Sequence, residues 1–157
     1  AGLQSKISVS VEISPTAIAI SKAKRDIPSN RKVEQVLADL TSFIKRNKIS
    51  KETIEIESKF GLNKTIKDYF HPKTLEEILL ARKYFKINGY STTESALVLS
   101  ALMHILHGNR PYALSRRSHG ITPFAPTGDF EYKNTIEKLK EKISPLCINL
   151  CSMKNMQ

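Results

Sequence analysis

Two places in this chain carry residues whose type and spacing suit chemistry. The first is Glu12, a single carboxylate where an alternating run, Ile7-Ser-Val-Ser-Val-Glu-Ile13, meets a helix signal, Ser14-Pro15. Ligands of open α/β sheets bind at the carboxyl ends of strands, and a carboxylate there can accept both hydrogen bonds of a ribose diol. The competing reading is a solvated acid at the end of an edge strand. The second place is residues 109–128, where Arg110, Arg116, Arg117 and His119 form the densest cationic spot. Arginine makes bidentate contacts to phosphate and guanine, and loops on a rigid scaffold carry much of protein binding. Alternatively these arginines pair with Asp129 or Glu131, or cap helix ends.

Other candidates are weaker. His104 and His107 sit three apart, but no carboxylate or cysteine stands at a matching metal-ligand spacing. They read as core or helix-end histidines. Cys147 and Cys151, the only two cysteines, are one helical turn apart and read as buried thiols. Tyr112 and Phe124 suit either stacking on an extruded base or anchoring a loop to the core. No Ser-His-Asp or Cys-His arrangement can be placed.

Composition narrows the classes. The 157 residues are 40% hydrophobic and 25% charged, with 6 Gly and 7 Pro, which excludes collagen-like, low-complexity and disordered chains. Twenty-five Lys and Arg against 15 Asp and Glu give a formal charge of +10, which favours a polyanionic partner through counterion release. Two thiols support neither a four-ligand zinc site nor a disulfide framework, so a reducing cytoplasm is expected. The apolar tracts are broken too early for a membrane span, and the first 25 residues lack the basic start of a signal peptide.

These residues must be positioned by the elements around them. The alternation over 7–13 predicts a strand. Ser14 as N-cap and Pro15 at the first helical position predict a helix from Thr16 that ends in Lys22, Lys24 and Arg25. Helical spacing of Val33, Val36, Leu37, Leu40 and Ile44 predicts a helix over 31–47, with Lys45, Arg46 and Lys48 on solvated faces. Residues 48–70 read as a loop with one short strand at 53–57. Thr74 and Glu77 are spaced as a capping box for a helix over 74–87 that Asn88-Gly89 stops. Ser91 and Glu94 form a second such box, heading an apolar helix over 92–107 that is expected to be buried. The stretch 109–128 has no usable periodicity, and a stretch that long in a compact domain is usually functional or disordered. Tyr132, Ile136, Leu139 and Ile143 predict a last helix over 130–143, closed by Pro145.

Two segments together resemble the DNA amino-methyltransferases, of the cytosine-N4/adenine-N6 type that uses S-adenosylmethionine. Val11-Glu-Ile-Ser-Pro-Thr-Ala17 is similar to the family's stretch at the end of the second Rossmann strand, where an acid holds the cofactor ribose. Arg110-Pro-Tyr-Ala-Leu-Ser-Arg-Arg-Ser-His-Gly-Ile-Thr-Pro-Phe-Ala-Pro-Thr-Gly128 is similar to a linker between a helical insertion and a later catalytic strand. The resemblance spans roughly residues 3–143. It implies Glu12, Ile13 and Pro15 at the cofactor, Arg110, Arg116, Arg117 and His119 at DNA, and methyl transfer to an extruded base, as in restriction-modification systems.

The family's glycine-rich loop and its Pro-Pro-aromatic catalytic motif have no counterpart here: no Gly-x-Gly and no Pro-Pro occurs in the chain. They are expected upstream of Ala1 and beyond Gln157. The 157 residues alone are therefore expected to be catalytically incomplete, with no catalytic residue and no metal site of their own. The expected fold is mainly α: a partial Rossmann-like β-α unit over 1–25, a helical insertion over 26–108, a basic Pro-rich loop over 109–128, and a closing helix and tail over 129–157. The strand lacks an evident neighbour except 53–57, so a homodimer, a frayed start or a companion chain completing the sheet is expected. The alternative function is a non-enzymatic basic helical module that binds nucleic acid.

Overall fold

Ser14 and Pro15 begin the first helix as their types dictate. The Ser14 side chain accepts the Ala17 N–H at 3.4 Å, Pro15 occupies the first turn, and α1 runs Pro15–Arg25 with Lys22, Lys24 and Arg25 at its carboxyl end. The structure is a computed structural model that describes residues 11–59, 70–106 and 129–154. Among the described residues five more helices follow: α2 (Asn30–Arg46), α3 (Lys51–Lys59), α4 (Pro72–Asn88), α5 (Thr93–His104) and α6 (Thr135–Lys154). The chain is mainly α, and no strand occurs among the described residues. Residues 11–14 are irregular, and the rest of the expected strand lies outside the described residues.

The helix α5 is the centre of the bundle. It is apolar nearly all round because it is covered by α1 on one side and by α2 and α6 on others. Val98 is fully buried, and Ala96, Ala101 and Leu102 are close to it. The small side chains let α1 approach, and Ala19 of α1 is itself fully buried. One apolar cluster joins Val33, Leu37 and Leu40 of α2 with Ala81 and Phe85 of α4, and α6 closes it with Ile136, Leu139 and Ile143. Each fully buried Leu or Val here contributes about 1.5–3 kcal/mol. A smaller cluster of Phe70, Leu75 and Leu79 is covered by Ile49, Ile54 and Ile78, which seats α3 on the start of α4.

Several local expectations need correcting. Residues 53–57 belong to α3, not to a strand: Ser50 Oγ accepts the Thr53 N–H at 3.2 Å and starts a helix. They offer the 7–13 segment no sheet partner. Thr74 and Glu77 make no capping box, because α4 starts earlier, with His71 as N-cap and Pro72 in the first turn. The His71 ring accepts the Lys73 N–H through Nδ1 at 3.2 Å. At α5 the box is shifted by one residue, to Thr92 and Ser95. Pro145 does not end α6, which continues to Lys154. Pro145 is exposed, so the carbonyl that loses its donor there can turn to water. Gly89 does stop α4, at φ +69° and ψ −171°, a region essentially reserved for glycine.

Candidate functional site

Glu12 stands exposed on the approach to α1. One carboxylate oxygen, Oε1, accepts two backbone N–H groups, from Ile13 at 2.8 Å and from Ser14 at 2.9 Å. This ties the side chain to its own backbone and fixes its direction. Among the described residues nothing else bonds the carboxylate, so its second oxygen can still accept. Ile13 is 92% and Val11 95% exposed, and Pro15 is exposed as well. The three proposed cofactor residues thus lie together at one end of α1, on an open surface. Among the described residues nothing covers them.

The bundle holds α1 by its middle and its far end. Besides the buried Ala19, Lys22 lies over the Tyr90 ring, 5.1 Å from its centroid. At the far end of α1, Asp26 pairs with Arg25 at 2.8 Å and accepts the Thr93 hydroxyl at 3.3 Å. The hydrogen bond from Arg25 is the main reason that the Asp26 carboxyl titrates below its ordinary range. Glu94, in the first turn of α5, accepts the N–H of Ser29 at 3.0 Å. Ser29 is the N-cap residue of α2 and makes no side-chain cap of its own; Glu94 satisfies the backbone N–H of this N-cap residue from another helix. That same bond lowers the Glu94 pKa.

Arg110, Arg116, Arg117 and His119 lie outside the described residues, as do Tyr112, Phe124 and His107. Lys24, Arg25, Lys45, Arg46 and Lys48 are exposed, as expected of solvated faces. His104 is also exposed, in the last turn of α5. Among the described residues no group of three or more His, Cys, Asp or Glu is placed to hold a metal. No helix among them is long and apolar enough to cross a membrane. Comparison with protein families, with curated proteins and with solved structures finds no match for this chain.

One polar junction was not visible in the sequence. Glu77 is buried on α4 and accepts the Tyr132 hydroxyl at 2.6 Å and the Thr135 N–H at 2.8 Å. It therefore caps α6 from outside that helix. Beside it, Thr74 Oγ1 donates to the Lys133 carbonyl at 2.9 Å and accepts the Lys133 N–H at 3.1 Å. Burial, then the bond to Glu77, pushes the Tyr132 hydroxyl up to about 12. The Tyr132 ring is flanked by the Lys73 ammonium, 4.4 Å from its centroid, and by the His71 ring at 5.5 Å. This junction fixes where the chain re-enters the bundle after the 109–128 segment.

Proposed function

We propose that this chain is part of a DNA amino-methyltransferase and that its helices form the insertion between the cofactor side and the DNA-facing linker. In this reading residues 1–25 form a β-α unit of a Rossmann-like sheet, completed by further chain, a second copy or a companion chain. The observation that carries it is the state of Glu12: exposed, aimed by the Ile13 and Ser14 amides, and with an acceptor oxygen that no described residue uses. A carboxylate so disposed fits the diol of a ribose. Glu12 would take the ribose, with Ile13 and Pro15 beside the adenine, and S-adenosylmethionine would supply the methyl group for an exocyclic amino group. Arg110, Arg116, Arg117 and His119 would hold DNA phosphates.

A second reading, a basic helical module without enzymatic chemistry, draws on the exposed cations of α1 and α2. One pair of measurements separates the two. Saturation-transfer NMR with S-adenosylhomocysteine should show contact at the ribose protons, lost in Glu12→Gln. Binding to a DNA duplex should weaken steeply with salt and weaken further on replacing Arg116 and Arg117 by Ala. DNA binding with no cofactor contact favours the basic module. Absence of both signals refutes both readings. The isolated 157 residues should transfer no methyl group, since they carry neither a Gly-x-Gly loop nor a Pro-Pro motif, and measurable methylation of DNA by them would overturn the expectation that they are catalytically incomplete.

A further inference from the structure

Where α4, α5 and α6 meet, the bundle leaves a cleft of about 320 Å³. That lies at the small end of the range for ligand sites, roughly 300–1,000 Å³, and suits a molecule of one or two rings. Its walls are apolar, from Phe70, Ile78, Ile105 and Leu106. Three observations indicate that it takes more than a hydrocarbon. Thr135 lines the cleft, and its Oγ1 is buried without a hydrogen-bond partner. A buried hydroxyl left unpaired is costly, and the Thr135 amide beside it is already satisfied by Glu77.

The second observation is the charge at the lining. Lys133 and Lys138 both contribute to it, with His104 nearby in the same wall. The third is how that charge is balanced. Lys138 is paired with Glu141 at 2.8 Å, whereas Lys133 is half-buried and its backbone, not its ammonium, bonds to Thr74. Among the described residues the Lys133 ammonium has no acid paired to it, and it stands in the lining beside the Phe70 ring, aliphatic walls and the buried Thr135.

We propose that this cleft binds a small aromatic carboxylate, its ring between Phe70, Ile78 and Leu106 and its carboxylate facing Lys133. A single charge fits better than a phosphate dianion, because Glu141 neutralises the second lysine. The site is independent of the methyltransferase reading: it uses neither Glu12 nor the arginines of the linker.

Titration of the isotope-labelled chain with 1-naphthoate and with 1-naphthamide, followed by NMR, tests it, because the two probes share size and ring and only the first carries a negative charge. Naphthoate should shift the amides of Phe70, Ile78, Ile105, Leu106 and Thr135 and bind about fivefold tighter than naphthamide, the scale of one partly exposed ion pair. Lys133→Gln should remove that difference while leaving naphthamide unchanged. Ile78→Trp should fill the cleft and abolish both. Equal affinity of the two probes would overturn the proposal, as would shifts elsewhere on the bundle. So would unchanged naphthoate binding to an Ile78→Trp protein that keeps its helical circular dichroism. Should that variant fail to fold, the comparison of the two probes on the wild type and on Lys133→Gln decides the question.

Discussion

Replacing Glu77 by Ala should be among the most damaging single changes in the bundle. The carboxylate accepts two hydrogen bonds, from Tyr132 at 2.6 Å and Thr135 at 2.8 Å, and it joins residues 55 and 58 positions apart. A hydrogen bond to a charged group is worth about 1.5–3 kcal/mol net, and a buried donor left unpaired costs about 1–3 kcal/mol. The two donors do not suffer equally. Thr135 is 3% exposed, so its N–H finds no water; Tyr132 is 37% exposed, and its hydroxyl can turn outward. The expected loss is therefore set mostly by the Thr135 amide, at about 3 kcal/mol in all. Glu77→Gln keeps one acceptor and turns an NH2 toward the other donor, so it should cost about 1–2 kcal/mol. Tyr132→Phe should cost about 1 kcal/mol, and its effect should shrink in the Glu77→Ala background, since the two share one bond. Urea unfolding of the wild type and these four variants, read by far-ultraviolet circular dichroism, measures all of these. A cost of under about 1 kcal/mol for Glu77→Ala would refute the idea that this acid caps α6. The same junction predicts an alkaline effect. The Tyr132 pKa is raised from 10.0 to about 12 on folding. The folded state thus favours the neutral phenol, and its stabilisation is complete below pH 10 and lost as pH climbs toward 12. Tyr132→Phe should abolish that slope.

Three further changes follow from the geometry. Leu139→Ala deletes a fully buried side chain at the joint of α6 with the main cluster and should cost about 2–5 kcal/mol in the same unfolding assay. Gly89→Ala meets no atom within 4 Å, so its cost, about 1–3 kcal/mol, should come from backbone strain alone; Gly89→Asn should be milder than Gly89→Val. The lowered pKa of Glu94 means that its contribution is present above the ordinary carboxylate value of 4.5 and lost as pH falls through the lower folded value. Acid titration of stability should therefore lose slope in Glu94→Gln, together with protection of the Ser29 amide against hydrogen exchange.

Elements with their own punctuation were legible in the sequence. Ser14-Pro15 opens α1 and Gly89 ends α4, because each residue satisfies its local backbone without help from the rest of the fold. What failed was local pattern without local cause. The alternation Thr53-Ile-Glu-Ile-Glu has period two, yet only Ile54 packs inward while Ile56 is 67% exposed; Ser50 and the contact with α4 impose the helix. The cap of α5 moved because Thr92, Thr93, Glu94 and Ser95 are all competent, and Glu94 is drawn away by an amide 65 residues distant. Glu77 looked like half of a capping box, since spacing cannot reveal a partner on another helix. The likeness of residues 11–17 to a cofactor motif rests on side chains that the bundle leaves open, so packing neither supports nor disfavours it.

Several acids of this chain are spent on backbone amides. Glu12, Glu76, Glu77 and Glu94 each accept a backbone N–H: from Ile13 and Ser14, from Ile49 at 3.3 Å, from Thr135, and from Ser29. Acids used in this way hold helix starts and chain crossings together, at places where an unpaired amide would be expensive. Ion pairs such as Arg25–Asp26 and Lys138–Glu141 join near neighbours on exposed ground and contribute little to the fold. Among the described residues Lys24, Arg25, Arg31, Lys32, Lys45, Arg46 and Lys48 are exposed, while the amide-bound acids serve the fold. A polyanion could cover the exposed cations of α1 and α2 without disturbing the amide-bound acids, so a basic surface and a stable bundle coexist in one sequence.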